Sequence, residues 1–185
     1  RIQTIENAGA DTSFLGRLAA WKISVSAALM NPVFGIGFHG IQEPEIWGRF
    51  ISLANSLPGD VMDMQGYARA AHSIYFEVLG DLGFVGLTIF LLLLFNALYT
   101  RFEIKALAAK IGEEGLWARD LADLLAVAVI AYMAAGAGVS LGYFETLYAV
   151  LMLMEMTKQV LLRQIEGQQL PTTAEKTPVL VANHA

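Results

Sequence analysis

Hydrophobic and polar positions divide the chain into a mixed N-terminal third and a series of long apolar segments. A helix is predicted over residues 13–30, with Asp11-Thr12-Ser13 as its N-cap and Asn31-Pro32 as its stop. Leu15, Leu18, Val25 and Leu29 form an apolar stripe on it, interrupted by Lys22, while Ser13, Arg17, Trp21, Ser24 and Ala28 share another face. Asn31-Pro32-Val33-Phe34-Gly35-Ile36-Gly37-Phe38 reads as a turn followed by tightly packed backbone. Residues 40–71 mix Trp47, Phe50, Leu53 and Tyr67 with Pro44, Pro58 and Gly59, which predicts short helices and loops lying against a membrane surface.

Leu82 to Thr100 is uncharged for nineteen residues, and residues 124–144 for twenty-one more. A bilayer core needs about 20 apolar residues as helix. Membrane helices are therefore expected at about 74–100 and 121–143, with a third at 145–162 that contains Glu155. Residues 73–163 are then expected to form a membrane domain, residues 1–72 a periplasmic loop with an amphipathic helix at 13–30, and residues 164–185 a disordered cytoplasmic tail. The fold class is all-α, a polytopic membrane helix bundle. The chain reads as the C-terminal part of a longer protein.

Read as one helix, His72, Phe76, Leu79, Gly83 and Gly86 fall on one face. Glycine in a lipid-embedded helix marks close approach of a neighbour, which applies also to Gly138 and Gly142 at GxxxG spacing. Lys and Arg are dense between residues 101 and 120 and absent around Ser140 to Glu145, so the first interval is expected in the cytoplasm and the His72 end outside.

Composition narrows the chemistry. Hydrophobic residues make up 56% of the 185 positions and charged ones 16%, far from a soluble balance. A net charge of −5 without a basic cluster excludes a nucleic-acid surface. The lack of cysteine excludes disulfides and thiolate catalysis. Neither His39 nor His184 has metal-ligand spacing, and no metal or cofactor is expected. His72 is a candidate proton acceptor, although a helix-terminal histidine bonded to a carbonyl is the commoner arrangement. Glu77 and Asp81 point away from His72 on the helix wheel, so neither orients it through that helix. Arg17 suits bidentate contact with phosphate, Trp21 could stack on a sugar, and Arg69 could extend the positive patch. Each of these also has an ordinary interfacial reading, as a snorkelling cation or an anchoring ring.

His72-Ser73, nine free positions, Gly83, two more and Gly86 resemble the signature of bacterial O-antigen ligases. The surrounding AHSIYFEVLGDLGFVGL is similar to O-antigen-ligase-like proteins associated with exosortase systems, and GRLAAWKISVSAALMNPVFGIGF resembles the same family's upstream segment. The resemblance implies an enzyme of the bacterial inner membrane with its active site facing the periplasm. The donor would be a glycan on undecaprenyl diphosphate and the acceptor a hydroxyl of a glycan, lipid or protein. It makes His72 the base and Arg17 the group that binds and offsets the diphosphate, whereas Trp21 and Arg69 are further candidate substrate contacts by their chemistry and position and not by the family motif. Transfer would invert the anomeric centre without a metal. A polysaccharide polymerase and a protein O-oligosaccharyltransferase remain alternatives within the superfamily. A non-enzymatic transporter or scaffold is the alternative outside it.

Overall fold

The computed structural model describes residues 12–56 and 68–169. The elements are α1 (Thr12–Met30), a 3-10 turn (Gly40–Gln42), α2 (Pro44–Ser56), α3 (Ile74–Ile111), a second 3-10 turn (Gly112–Gly115), α4 (Leu116–Gly136) and α5 (Glu145–Gln169). No strand occurs among the described residues, so the architecture is all-helical.

α3 and α4 form an antiparallel hairpin. Near its turn, Ile104 and Ala108 pack on Ala118 and Ala122. At the other end the Tyr75 hydroxyl donates to the Met133 carbonyl at 2.9 Å. α5 runs back alongside, with Leu147 packed among Ile74, Val78 and Val129, and Leu161 among Ile104 and Ala108. Asp123 receives Arg101 and Lys105, while Lys158 Nζ lies 2.8 Å from Glu103. These part-exposed pairs contribute little to stability, because solvent screens them. Their value is positional, since they mark the polar end of the bundle.

The run Ile74–Gly136 is long and apolar enough to cross a membrane, the one such run among the described residues. Only 39% of its most apolar stretch is buried inside the protein, which a soluble core helix would not show. Ile89, Leu92, Phe95, Leu124, Val127 and Ile130 all face outward.

Several boundaries differ from expectation. α3 continues to Ile111 instead of stopping at Thr100, so most of the interval 101–120 is helix around a short turn. Its charges are accommodated by ion pairs to α4 and α5, and helix persists. α5 likewise runs past residue 163 to Gln169, and the tail beyond it lies outside the described residues, as do residues 57–67. On α1 the buried face is Ala19, Ala20, Ile23 and Ala27, packed on Ile41, Trp47 and Phe50, whereas Leu29 is exposed. Small residues win that face because α2 and α3 both approach closely.

Gly83 is the break in α3. Its φ of 69° and ψ of −168° belong to a region that only glycine occupies readily. The break frees backbone groups on both sides, and the elbow after α1 takes them up. Phe84 N–H donates to Pro32 O (2.8 Å), Ile36 N–H to Gly80 O (3.1 Å) and Gly37 N–H to Asp81 O (2.9 Å). Gly35, with φ 61°, lies so close that a Cβ there would sit 2.5 Å from the Asp81 carbonyl. The close approach expected at Gly83 is therefore to a turn and not to another helix. A Cβ on Gly86 would meet its own helix neighbour Leu82, and Gly138 and Gly142 lie in the turn after α4 and not on a helix. The tight helix contact falls instead at Gly136, where a Cβ would stand 2.5 Å from Ile74 Cδ1.

A Cβ on Gly83 would lie 2.6 Å from the Pro32 carbonyl oxygen, in addition to the backbone strain. Gly83→Leu is expected to cost roughly 2 kcal/mol or more, from strain of about 1–3 kcal/mol plus a lost hydrogen bond. Thermal melting in nanodiscs checks this against Gly167→Ala, where a Cβ meets open space and no shift is expected.

Candidate active site

His72 does not lie on the helix. α3 begins at Ile74, Ser73 is its extended N-cap residue, and the Ser73 carbonyl accepts the Glu77 N–H at 2.9 Å. His72 precedes the cap with a left-handed φ of 48°, so its register with Phe76 and Gly83 as a helical face is not kept. The reason is the cap itself, which needs an extended residue to start the helix. His39, also at positive φ (55°), is the other non-glycine residue in that region among the described residues. Such conformations cost about 1–3 kcal/mol and persist only where surrounding structure enforces them.

Two anchors enforce the His72 corner. The Trp21 indole N–H donates to the Ala71 carbonyl at 2.7 Å, and its ring stacks on Phe76 with centroids 4.7 Å apart and planes 9° off parallel. From the other side, His72 N–H donates to Ser140 Oγ at 2.8 Å. The residue stays exposed while its backbone is held. Trp21 thus has one ring face and its N–H engaged within the protein; a sugar would have to use the opposite face. Arg69 packs its guanidinium over Gly16 of α1, one residue from Arg17, which is half-buried. Trp21 meets the chain next to His72, through the Ala71 carbonyl, and Arg69 meets α1 at Gly16, with Arg17 the next residue in sequence. Gly16 is the unannounced enabling residue, because any side chain there would displace the guanidinium.

A second cluster lies under this corner. Glu77 and Asp81, both buried, occupy one face of α3 at a spacing of four residues. Glu77 Oε2 accepts the Gly142 N–H at 2.8 Å, and Glu77 Oε1 lies 3.7 Å from His39 Nδ1. Asp81 Oδ2 accepts the His39 N–H (2.8 Å) and the Tyr143 hydroxyl (3.1 Å). Tyr143 sits in the turn between α4 and α5, where burial first and the Asp81 carboxylate second push its phenol well above the usual range. It therefore remains a hydrogen-bond donor. Asp81 Oδ1, Ser24 Oγ and Trp47 Nε1 are buried with no partner. Among the described residues no group of three or more His, Asp or Glu is placed to hold a metal ion.

The turn Ser140-Leu141-Gly142-Tyr143 joins the two clusters, since it contacts His72 through Ser140, Glu77 through Gly142 and Asp81 through Tyr143. Sequence reading missed Glu77, Asp81, His39, Ser140 and Tyr143 as parts of one assembly. The legible signal was a pair of acids one helical turn apart at the mouth of an apolar run, where ionisable groups are rare without a partner. Glu155, by contrast, is exposed and bonded to Gln159 (2.7 Å).

A family model described as O-antigen ligase matches residues 1–91. None of the curated proteins and none of the solved structures matches the chain. The matched residues hold α1, the elbow, the His72 corner and the helix break, and the family match together with the apolar run that begins within them supports a membrane protein. The match over residues 1–91 supports a place in the O-antigen ligase-like superfamily and a membrane glycosyl-transfer role in general.

Proposed function

We propose that this protein transfers a glycan from an undecaprenyl-diphosphate carrier to an acceptor hydroxyl, as a multi-pass enzyme of the bacterial inner membrane with its active site facing the periplasm. The exosortase-associated O-glycosylation ligases are the branch its motifs resemble most. The observation that carries this reading is the His72 corner. An exposed imidazole is held in a costly backbone conformation beside the mouth of an apolar bundle, with Arg69 and Arg17 on the α1 side.

The chemistry follows from those groups. The acceptor oxygen attacks the anomeric carbon and passes its proton to an imidazole nitrogen of His72. The bond from that carbon to the diphosphate oxygen breaks, and the electron pair leaves with the diphosphate. Attack opposite the leaving group inverts the centre. Arg17 and Arg69 offset the charge that develops on the leaving group, which is already stable enough that the reading requires no metal. Ser140 and Trp21 act as positioning residues, since they hold the backbone that carries the imidazole and leave the ring unobstructed.

Replacement of His72 by Gln retains hydrogen bonding without a proton acceptor, and is expected to lower transfer by roughly 10²–10⁴-fold with donor binding and membrane abundance preserved. Reconstituted protein with purified lipid-linked donor measures this; a fully active variant would end the base role. Arg17→Lys keeps the charge but loses the bidentate fork, and should lose roughly tenfold to a hundredfold in transfer at normal abundance.

Ser140→Ala releases the His72 N–H and is expected to lower kcat several-fold with KM nearly unchanged, while Ser140→Thr restores it. Equal activity of all three proteins would reduce Ser140 to a surface contact. For topology, a reporter inserted in the Gly112–Gly115 turn should be cytoplasmic; an external signal there would invert the proposed orientation.

A further inference from the structure

The elbow after α1 carries an apolar surface that neither the transfer chemistry nor the packing of α1 uses. Leu29, Met30, Val33 and Phe34 are exposed, Phe34 to 83%, while Phe38, exposed to 67%, meets the Tyr143 ring edge-on. Four large apolar side chains at the end of α1 and in the turn after it exceed what an aqueous surface tolerates without a partner. α1 runs in the same direction as α3: Gly16 meets Arg69, Trp21 meets Ala71 and Phe76, Ser24 lies by Gly80, and Pro32 reaches Phe84. The chain then returns, with Gly37 on Asp81 and His39 near Glu77. The path goes down beside α3 as far as its break and back up again.

Two further observations identify what covers the elbow. First, residues 23–42 contain no Asp, Glu, Lys or Arg, twenty residues across the descending helix, the turn and the return. Second, most of the turn backbone is satisfied within the protein. The N–H groups of Asn31, Gly35, Ile36, Gly37, His39 and Gly40 have acceptors there, which leaves those of Val33, Phe34 and Phe38 to headgroups and water. Non-helical backbone with so few open donors suits the membrane interface and not the hydrocarbon core. The elbow is also continuous with the outward face of the membrane-crossing run, because its Pro32 carbonyl is bonded to Phe84, and Phe84 and Val85 begin that exposed apolar face.

We propose that residues 29–38 form a re-entrant elbow that enters the outer lipid leaflet, with Phe34 at its apex at the boundary of headgroups and acyl chains. The partner is the bilayer itself. Phe84 lies three residues beyond Asp81, the last charge before the uncharged run, so the apex reaches about 5 Å past it along the helix. That is the depth at which amphipathic elements sit at the boundary of headgroups and acyl chains. α1 thereby descends into the membrane beside α3, where a wholly periplasmic loop had been expected. The inference rests on the apolar run crossing the bilayer and is independent of glycosyl transfer.

The chain has no cysteine, so single thiols report without background. Spin labels at Phe34→Cys and Val33→Cys, in the full chain reconstituted into liposomes, are compared with labels at Ile89→Cys on the lipid-facing run and Glu43→Cys beyond the elbow. Collision with oxygen, which partitions into lipid, is measured against a water-soluble nickel chelate. Labels at positions 33 and 34 should favour oxygen several-fold over the chelate, as at 89, with the reverse at 43. Labels at 33 and 34 that follow position 43 would place the elbow in water and overturn the proposal. Shielding from both reagents would overturn it as well, by showing that protein covers the patch, whether a second copy or another part of the chain.

Discussion

The break in α3 at Gly83 is the feature on which the rest of the structure depends. A continuous helix would satisfy Gly80 O from Phe84 N–H and offer nothing to a neighbour. Because Gly83 leaves helical geometry, those groups become a docking strip, and the elbow after α1 fills it with three backbone hydrogen bonds. Backbone pairing fixes register more tightly than side-chain packing can. The position of α1 along α3, and with it Trp21 against Ala71 and Gly16 under Arg69, follows from that docking.

The buried acids complete the arrangement from the other side. Charge removed from water is costly unless donors are supplied, and here the donors come from the elbow and from the turn between α4 and α5. His39 N–H and the Tyr143 hydroxyl serve Asp81, while Gly142 N–H serves Glu77. Ser140, in the same turn, reaches His72. Glu77 and Asp81 thus tie two loops to one helix face, and the loops in turn hold the candidate base. The acids shape the His72 corner through the 140–143 turn and not through the helix that carries them. One of the Asp81 oxygens remains unpartnered, and nothing in the packing around it accounts for that.

How much of the site was legible varies with the range of the interaction. The spacing of His72, Ser73, Gly83 and Gly86 pointed to the family and to His72, and the apolar runs pointed to an all-helical membrane protein. The same spacing misplaced His72 on a helix, because periodicity does not show where a cap begins. Gly83 was read as a seat for another helix when its backbone angles make it the break itself. The pairing of Gly138 with Gly142 looked like a helix contact, yet both lie in a turn, and Gly136 makes the close approach.

What the residues determined alone are the properties set by composition and local order: helices, a long apolar run, the stop at Asn31-Pro32, and the absence of thiol chemistry. Hydrophobic burial and helix propensity are summed over neighbours in the chain, so they are visible in one dimension. The tertiary structure decided which distant groups meet. His39 reaches Glu77 across 38 positions (77 − 39), and His72 reaches Ser140 across 68. Such pairings depend on loop conformation and on where α3 breaks, and a hydrogen bond's partner is chosen by geometry that no spacing along the chain encodes.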